Sequence, residues 1–373
     1  MSRALPVRLL APALVVAVSC LVVAVATAVP RYSARAEQDC KLCHVSPGGG
    51  GMRTAYAVEE LIPKELAMSA HRPEALVGLE TRLNKVVRVG ADFRQQFMLE
   101  DESAPAAAVQ GFFPMQGDLH LSFQLDPRHL LFYRRGTTSL QEFGWQGQVL
   151  PWDGHVRAGR FVPSYGWRFD DHTMYVRDDL GFAPPANSDA GLEVGFSPEY
   201  GDVRVSLLNG NRGGLLDNDR RLVVAATGGF RFRFGDAAAY LGAQGWRQPG
   251  LNEDLTMAGL HGSVALGRFA WVGQYDRTRR EPVVGRDLET TVASNEFSVE
   301  LERGVELLGT FDWYDPDRDL ESGFRQRWGA GAQLMPLPFM SVRAMLRRTD
   351  VHAGPALAGQ DGTEALLQLH LLY

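Results

Sequence analysis

From Val86 to the end of the chain, apolar and polar residues alternate in segments of about ten, as in strands with one dry and one wet face. Leu119, Leu121, Phe123 and Leu125 interleave with His120, Ser122 and Gln124. Val203, Val205 and Leu207 interleave with Arg204 and Ser206. Phe230, Phe232 and Phe234 flank Arg231 and Arg233, and Phe297, Val299 and Leu301 flank Ser298 and Glu300. The pattern predicts about sixteen strands. They fall at 86–101, 115–126, 129–137, 141–150, 154–163, 189–197, 202–209, 220–234, 237–247, 255–266, 269–279, 290–302, 305–314, 324–335, 340–349 and 364–373.

The connections alternate in length. Short ones sit at Asp126-Pro127-Arg128, Pro151-Trp152-Asp153, Gly235-Asp236, Gly267, Arg303-Gly304 and Pro336-Leu337-Pro338. Long ones fall at 164–188, 210–219, 280–289, 315–323 and 350–363. Short turns at one end and long loops at the other are expected of a transmembrane antiparallel β-barrel, whereas a soluble sandwich has no cause to show them. The last segment alternates Leu367, Leu369 and Leu371 up to a terminal Tyr373, like the final strand of outer-membrane proteins.

Ahead of the barrel, Arg3 and Arg8 precede an apolar run from Leu9 to Val25, followed by Ala26-Thr27-Ala28. This is the layout of a secretory signal peptide, expected over residues 1–28. Nothing later is apolar for long enough to form a transmembrane helix. Residues 29–85 form a separate small segment before the barrel at 86–373. Met52 to Ala70 reads as helical, with Val58, Leu61, Ile62 and Leu66 on one face and Pro63 limiting regularity. A second short helix is expected from Pro73 to Leu83. A segment this small is marginal alone and should borrow surface from the barrel.

The chain has three cysteines, and Cys20 lies in the leader. The other two stand in Cys40-Lys41-Leu42-Cys43-His44, the attachment signature of a c-type haem. Each thiol can add to a porphyrin vinyl group, and the adjacent imidazole reaches the iron. A redox Cys-x-x-Cys or a mutual disulfide would not call for His44 and would suit a thioredoxin-like pattern that is missing. A zinc site would need a second ligand pair. The expectation is one covalent haem c bound by Cys40, Cys43 and His44, with His44 as proximal iron ligand. His71 is placed as the sixth ligand, with Met68 or Met52 as alternatives and an open position as a further one. The run Pro47-Gly48-Gly49-Gly50-Gly51 lets backbone pass close to a flat cofactor. The expected fold is therefore mainly β: a barrel of about sixteen strands with a small α-helical N-terminal haem segment.

Within the barrel, the longest loop carries Asp170, Asp171 and His172, a compact set of possible Fe(II) ligands. Arg157, Arg204, Arg231, Arg233, Arg325, Arg327, Arg343, Glu300 and Glu302 occupy positions expected to face inward. Arginines among them could pair with haem propionates. The net charge of −6 gives no reason to expect nucleic-acid binding. No nucleophile–base triad or phosphate loop has convincing context.

A signal peptide, one Cys-x-x-Cys-His near the mature N-terminus and then a single-chain barrel resembles the fused cytochrome–porin family. Its studied members are outer-membrane iron oxidases. The match at residue level rests on Cys40, Cys43 and His44, with the run Val29-Pro30-Arg31-Tyr32-Ser33-Ala34-Arg35 before them. The resemblance implies electron transfer in the outer membrane, with the haem on the periplasmic side or inside the barrel. It implies an extracellular metal donor such as Fe(II), periplasmic cytochromes or other redox carriers, and outer-membrane lipid as partners. The alternative is a diffusion porin whose periplasmic plug bears a structural or sensory haem.

Overall fold

The computed structural model describes residues 30–36, 38–69, 81–100, 110–136, 141–183, 187–214, 219–320, 323–352 and 361–372. Sixteen antiparallel strands form one closed barrel. They are β1 (Val87–Glu100), β2 (Gln110–Asp126), β3 (His129–Gly136), β4 (Glu142–Leu150), β5 (Gly154–Phe161), β6 (Asp189–Phe196), β7 (Gly201–Leu208) and β8 (Val223–Phe234). The circuit continues through β9 (Ala237–Gln248), β10 (Glu253–Leu266), β11 (Phe269–Pro282), β12 (Leu288–Glu302), β13 (Val305–Asp315), β14 (Phe324–Leu337), β15 (Met340–His352) and β16 (Gly362–Leu372). β1 pairs with β16, matching Phe93 to Leu371 and Phe97 to Leu367, so no sheet edge is left bare.

The alternation read from the sequence becomes the two faces of this wall. Asp202, Arg204 and Ser206 are buried inside, while Val203, Val205 and Leu207 are exposed outside. The outer face carries Leu119, Phe230, Leu241, Leu260 and Leu346, each more than half exposed. An apolar exterior of this extent is what a barrel presents to hydrocarbon, and it would be a liability in water.

Most strand boundaries agree with the sequence reading. β2 instead starts at Gln110, five residues before the expected 115. Pro114 would ordinarily interrupt a ladder, but it sits opposite Gln95 where the register shifts, a place that tolerates a missing N–H.

The predicted helix over Met52–Ala70 is shorter and wider, a π-type helix over Ala57–Leu66. Pro63 lies inside it, and wide turns relieve the carbonyl that lost its donor. Met52 lies in a bend ahead of this helix, and Arg53 bridges to His44. Of the second predicted helix, residues 73–80 lie outside the described residues. Thr81 and Arg82 pair with β1 rather than continuing a helix, through Val89 N to Thr81 O at 2.7 Å and an Arg82–Arg88 bridge. The expected signal peptide at 1–28 and His71 also lie outside the described residues.

Two inserts fill the lumen. From the short-turn end comes the N-terminal segment. Its first helix, α1 (Pro30–Ala36), lies on the inner wall, with Ala34 against Ala238, Ala265 and Ala270. From the long-loop end comes the β5–β6 loop with a single helical turn, α2 (Tyr175–Asp178). Phe161, Tyr165, Phe169, Met174, Val176 and Phe182 pack there against Trp246, Met257, Val272 and Val292. The hydrophobic core of the molecule thus sits inside the barrel.

Candidate functional site

Residues 39–54 are fixed by polar contacts to the inner wall. Asp39 caps the short 3₁₀ turn Cys40–Leu42, and its carboxylate accepts from Ser197 Oγ and Arg204 Nη2, each at 2.8 Å. Lys41 Nζ donates to the Asp153 carbonyl at 2.7 Å, on the β4–β5 turn. His44 N donates to Cys40 O at 2.9 Å, which closes the Cys-x-x-Cys-His stretch into one compact turn. Thr54 Oγ1 donates to Leu42 O at 2.7 Å, and Arg157 Nη1 to Ser46 Oγ at 3.1 Å.

Both cysteines are free thiols. Cys43 packs among Ala57, Leu61, Ile62 and Met335. Burial pushes each thiol up to about 12. Neither is the low-pKa thiolate that a redox Cys-x-x-Cys requires.

The glycine run behaves as a cradle. Gly49, Gly50 and Gly51 have φ of +81°, +68° and +67°, a region that favours glycine. A Cβ on Gly49 would meet Cys40 Sγ at 3.4 Å, and one on Gly50 would strike the Arg168 guanidinium at 2.6 Å. Arg168 Nη1 in turn donates to Gly49 O at 2.7 Å.

Cys40, Cys43, His44 and Gly48–Gly51 together line one side of a lumenal cavity. The β5–β6 loop forms another side with Arg168, Phe169, Asp170, His172 and Arg177. Some charges here are matched: His370 Nε2 lies 2.9 Å from Asp92 Oδ1, and Arg94 Nη2 lies 2.8 Å from Asp170. Among the described residues, three guanidiniums have no carboxylate partner. There Arg53 reaches only the carbonyls of Pro338 and Leu372, Arg168 only Gly49 O, and Arg177 only Phe169 O and Phe182 O. Burial pulls Arg53 and Arg168 down to about 10 and Arg177 to about 9, so all three remain cations at neutral pH. The cavity is built to receive negative charge.

Cys40 also touches a second lumenal space, lined by Asp39, Arg204, Arg231, Tyr240 and His261. Glu199 and Tyr200 of the β6–β7 turn border it, so it faces the short-turn end.

The structure brings Cys40, Cys43 and His44 to one cavity and scatters the other expected ligands. Met52 lines a different, small cavity beside His120, Phe132 and Tyr133. Met68 is 44% exposed at the short-turn mouth, held by its N–H to Met335 O at 2.8 Å. Asp170, Asp171 and His172 do not form a cation site. Asp170 is tied to Arg94 and Arg343, and Asp171 to Arg347 and Thr173. No group of three such ligands converges among the described residues.

Of the expected inward charges, Arg157, Arg204, Arg327 and Arg343 are buried in the lumen. Arg231 and Arg325 also face it, paired with Asp202 and Asp179. Glu300 is half-buried near Arg35, at 3.7 Å. Arg233 and Glu302 are exposed at strand ends, where the alternation runs past the wall. Sequence reasoning missed Arg53, because nothing local marks an arginine that lacks a carboxylate.

No protein-family model and no curated protein matches the chain. Solved structures do. An anion-selective porin from Comamonas acidovorans aligns with 14% identity and a TM-score of 0.57, covering 77% of this chain and 99% of its own. Outer-membrane expressed OmpT of Vibrio cholerae aligns with 10% identity and a TM-score of 0.55, covering 79% and 100%. OprB of Pseudomonas putida aligns with 8% identity and a TM-score of 0.53, covering 78% and 95%. The barrel has a porin fold. Within that fold the inward β5–β6 loop narrows the lumen, and the N-terminal segment occupies much of what remains.

Proposed function

We propose that this porin-fold chain is an outer-membrane redox protein that holds one covalent haem c inside its lumen. The observation that carries the reading is the cavity. Both thiols and the imidazole of Cys40-Lys41-Leu42-Cys43-His44 line the same space as three cations that lack carboxylate partners.

The residues present fit the group. A haem needs two thiols and an imidazole on one short turn, two cations for its propionates and a dry, flat slot. Cys40 and Cys43 would anchor it, and His44 would hold its iron. Arg53, Arg168 and Arg177 are the cations available for the propionates. The glycine cradle and Phe169 supply side-chain-free and apolar surface. When bound, the haem supplies a one-electron Fe(III)/Fe(II) couple.

The apolar outer face supports a membrane-spanning barrel, and hydrocarbon about 30 Å thick is too wide for one electron hop. A haem inside the lumen shortens the gap. The β5–β6 loop leads from it toward the long-loop side, where an external donor such as Fe(II) would arrive. The second space, beyond Cys40, leads toward the short-turn side and a periplasmic carrier. The same space supports the second reading, a diffusion porin with a haem-bearing plug, because it leaves part of the lumen unfilled.

Protein matured with a c-type haem assembly system and placed in liposomes separates these readings. A conduit carries covalent haem, passes electrons from external Fe(II) to an acceptor trapped inside, and conducts few ions in planar bilayers. Covalent haem with steady ion conductance and no electron transfer selects the porin. A protein that matures without haem overturns both.

A further inference from the structure

We propose that His172, carried by the β5–β6 loop, is the second axial ligand of the haem. This rests on the reading that Cys40, Cys43 and His44 attach the cofactor. Porphyrin is a disc, so its two axial donors must come from walls on opposite sides. His44 arrives from the N-terminal segment, and the β5–β6 loop forms another wall of the same cavity.

Among the described residues, four further side chains in that cavity could supply a donor: His172, His370, Met335 and Tyr32. Tyr32 already donates its hydroxyl to Glu306 at 2.7 Å. His370 already uses Nε2 toward Asp92 at 2.9 Å, which leaves only the Nδ1 crowded by its own Cβ. Met335 packs with Cys43, Ala57, Leu61 and Ile62, on the side from which His44 comes.

His172 is held differently. The barrel clamps the loop on both sides of it. Arg94 Nη1 donates to Asp170 O at 2.6 Å, and Arg347 bonds the Asp171 carboxylate. Arg327 Nη2 donates to Thr173 O, and Arg347 Nη1 to Thr173 Oγ1, each at 2.6 Å. Asp170, Asp171 and Thr173 are thus all tied down, while the His172 ring makes no hydrogen bond to any described residue. A backbone fixed this firmly around one untied imidazole is how a protein positions a metal ligand.

The test is spectroscopic. Wild-type protein with covalent haem should be low-spin, with the electron paramagnetic resonance signature of two imidazoles. His172→Ala should keep its covalent haem, turn high-spin, bind carbon monoxide readily when reduced, and return to low-spin on adding imidazole. His172→Met should stay low-spin, gain the charge-transfer band of a His/Met haem and shift its midpoint potential upward. A His172→Ala protein whose haem is attached and still low-spin overturns the assignment, as does a wild-type signature other than two imidazoles. Wild-type protein with no covalent haem overturns instead the reading beneath it. Should His172→Ala fail to fold, the wild-type signature and His172→Met still decide.

Discussion

Arg31 Nη1 meets Glu296 Oε1 at 2.7 Å, with both side chains withdrawn from solvent and their positions 265 apart in sequence. The same guanidinium reaches Glu306 at 3.0 Å, and Tyr32 donates to that carboxylate at 2.7 Å. This cluster seats α1 on β12 and β13. Removing Arg31 would leave buried Glu296 with Arg343 at 3.9 Å, while Glu306 keeps Arg35 and Tyr32, at a cost of about 3 kcal/mol. Arg31→Ala should lower the denaturant midpoint and expose residues 30–69 to protease. Unchanged protease resistance would show that the segment is held by other contacts.

Gly50 combines a φ of +68° with a Cβ direction that points at Arg168. An L side chain there costs about 1–2 kcal/mol in backbone strain, before any clash. Gly50→Ala is expected to displace Arg168 and reduce the fraction of chains carrying covalent haem. Gly235, in an open turn with nothing near its Cβ direction, is the comparison site, and Gly235→Ala should leave that fraction unchanged. Haem content equal in the two variants would refute the cradle.

Arg53 and Arg168 place positive charge beside the cavity without a matching carboxylate. Positive charge disfavours the ferric state, which carries one more charge than the ferrous. Arg53→Gln and Arg168→Gln should each lower the haem midpoint potential in a redox titration, and the double variant should lower it further. A potential that does not move means that neither guanidinium faces the cofactor.

The clamp on the β5–β6 loop has a defined pH window. Burial alone would raise the carboxyls of Asp170 and Asp171. For Asp170, Arg94 and Arg343 hold the native value below the ordinary carboxylate range, and for Asp171, Arg347 and Arg343 do so. A carboxyl lowered by folding contributes stability above its unfolded value, near 3.9, and loses it as pH falls through the native value. The loop should therefore stay protease-resistant at pH 7 and at pH 5, and loosen only below about 4. Release between pH 5 and 6 would mean that another group governs it.

The barrel was legible because alternation is local: each strand announces its own inward and outward residues. Cys40, Cys43 and His44 stood out as one unit because of their spacing, and the structure brings all three to one cavity. What could not be read was convergence. Met52 is near His44 in sequence, yet it lines another cavity, because the chain doubles back between Val45 and Met52. His172 is far away in sequence, yet it lines the same cavity, because barrel closure and the inward fold of the β5–β6 loop bring it there. Asp170 and Asp171 suggested metal ligands by type, but the arginines that claim them come from β1 and β15 at opposite ends of the barrel sequence.

Arg53, near the start of the chain, donates to the carbonyl of Leu372, at the end of the strand that closes the barrel. The seam between β1 and β16 is therefore next to the insert it encloses. The packing of residues 39–54 and the closure of the barrel are thus coupled through one side chain, so loosening either end of that bond loosens the other.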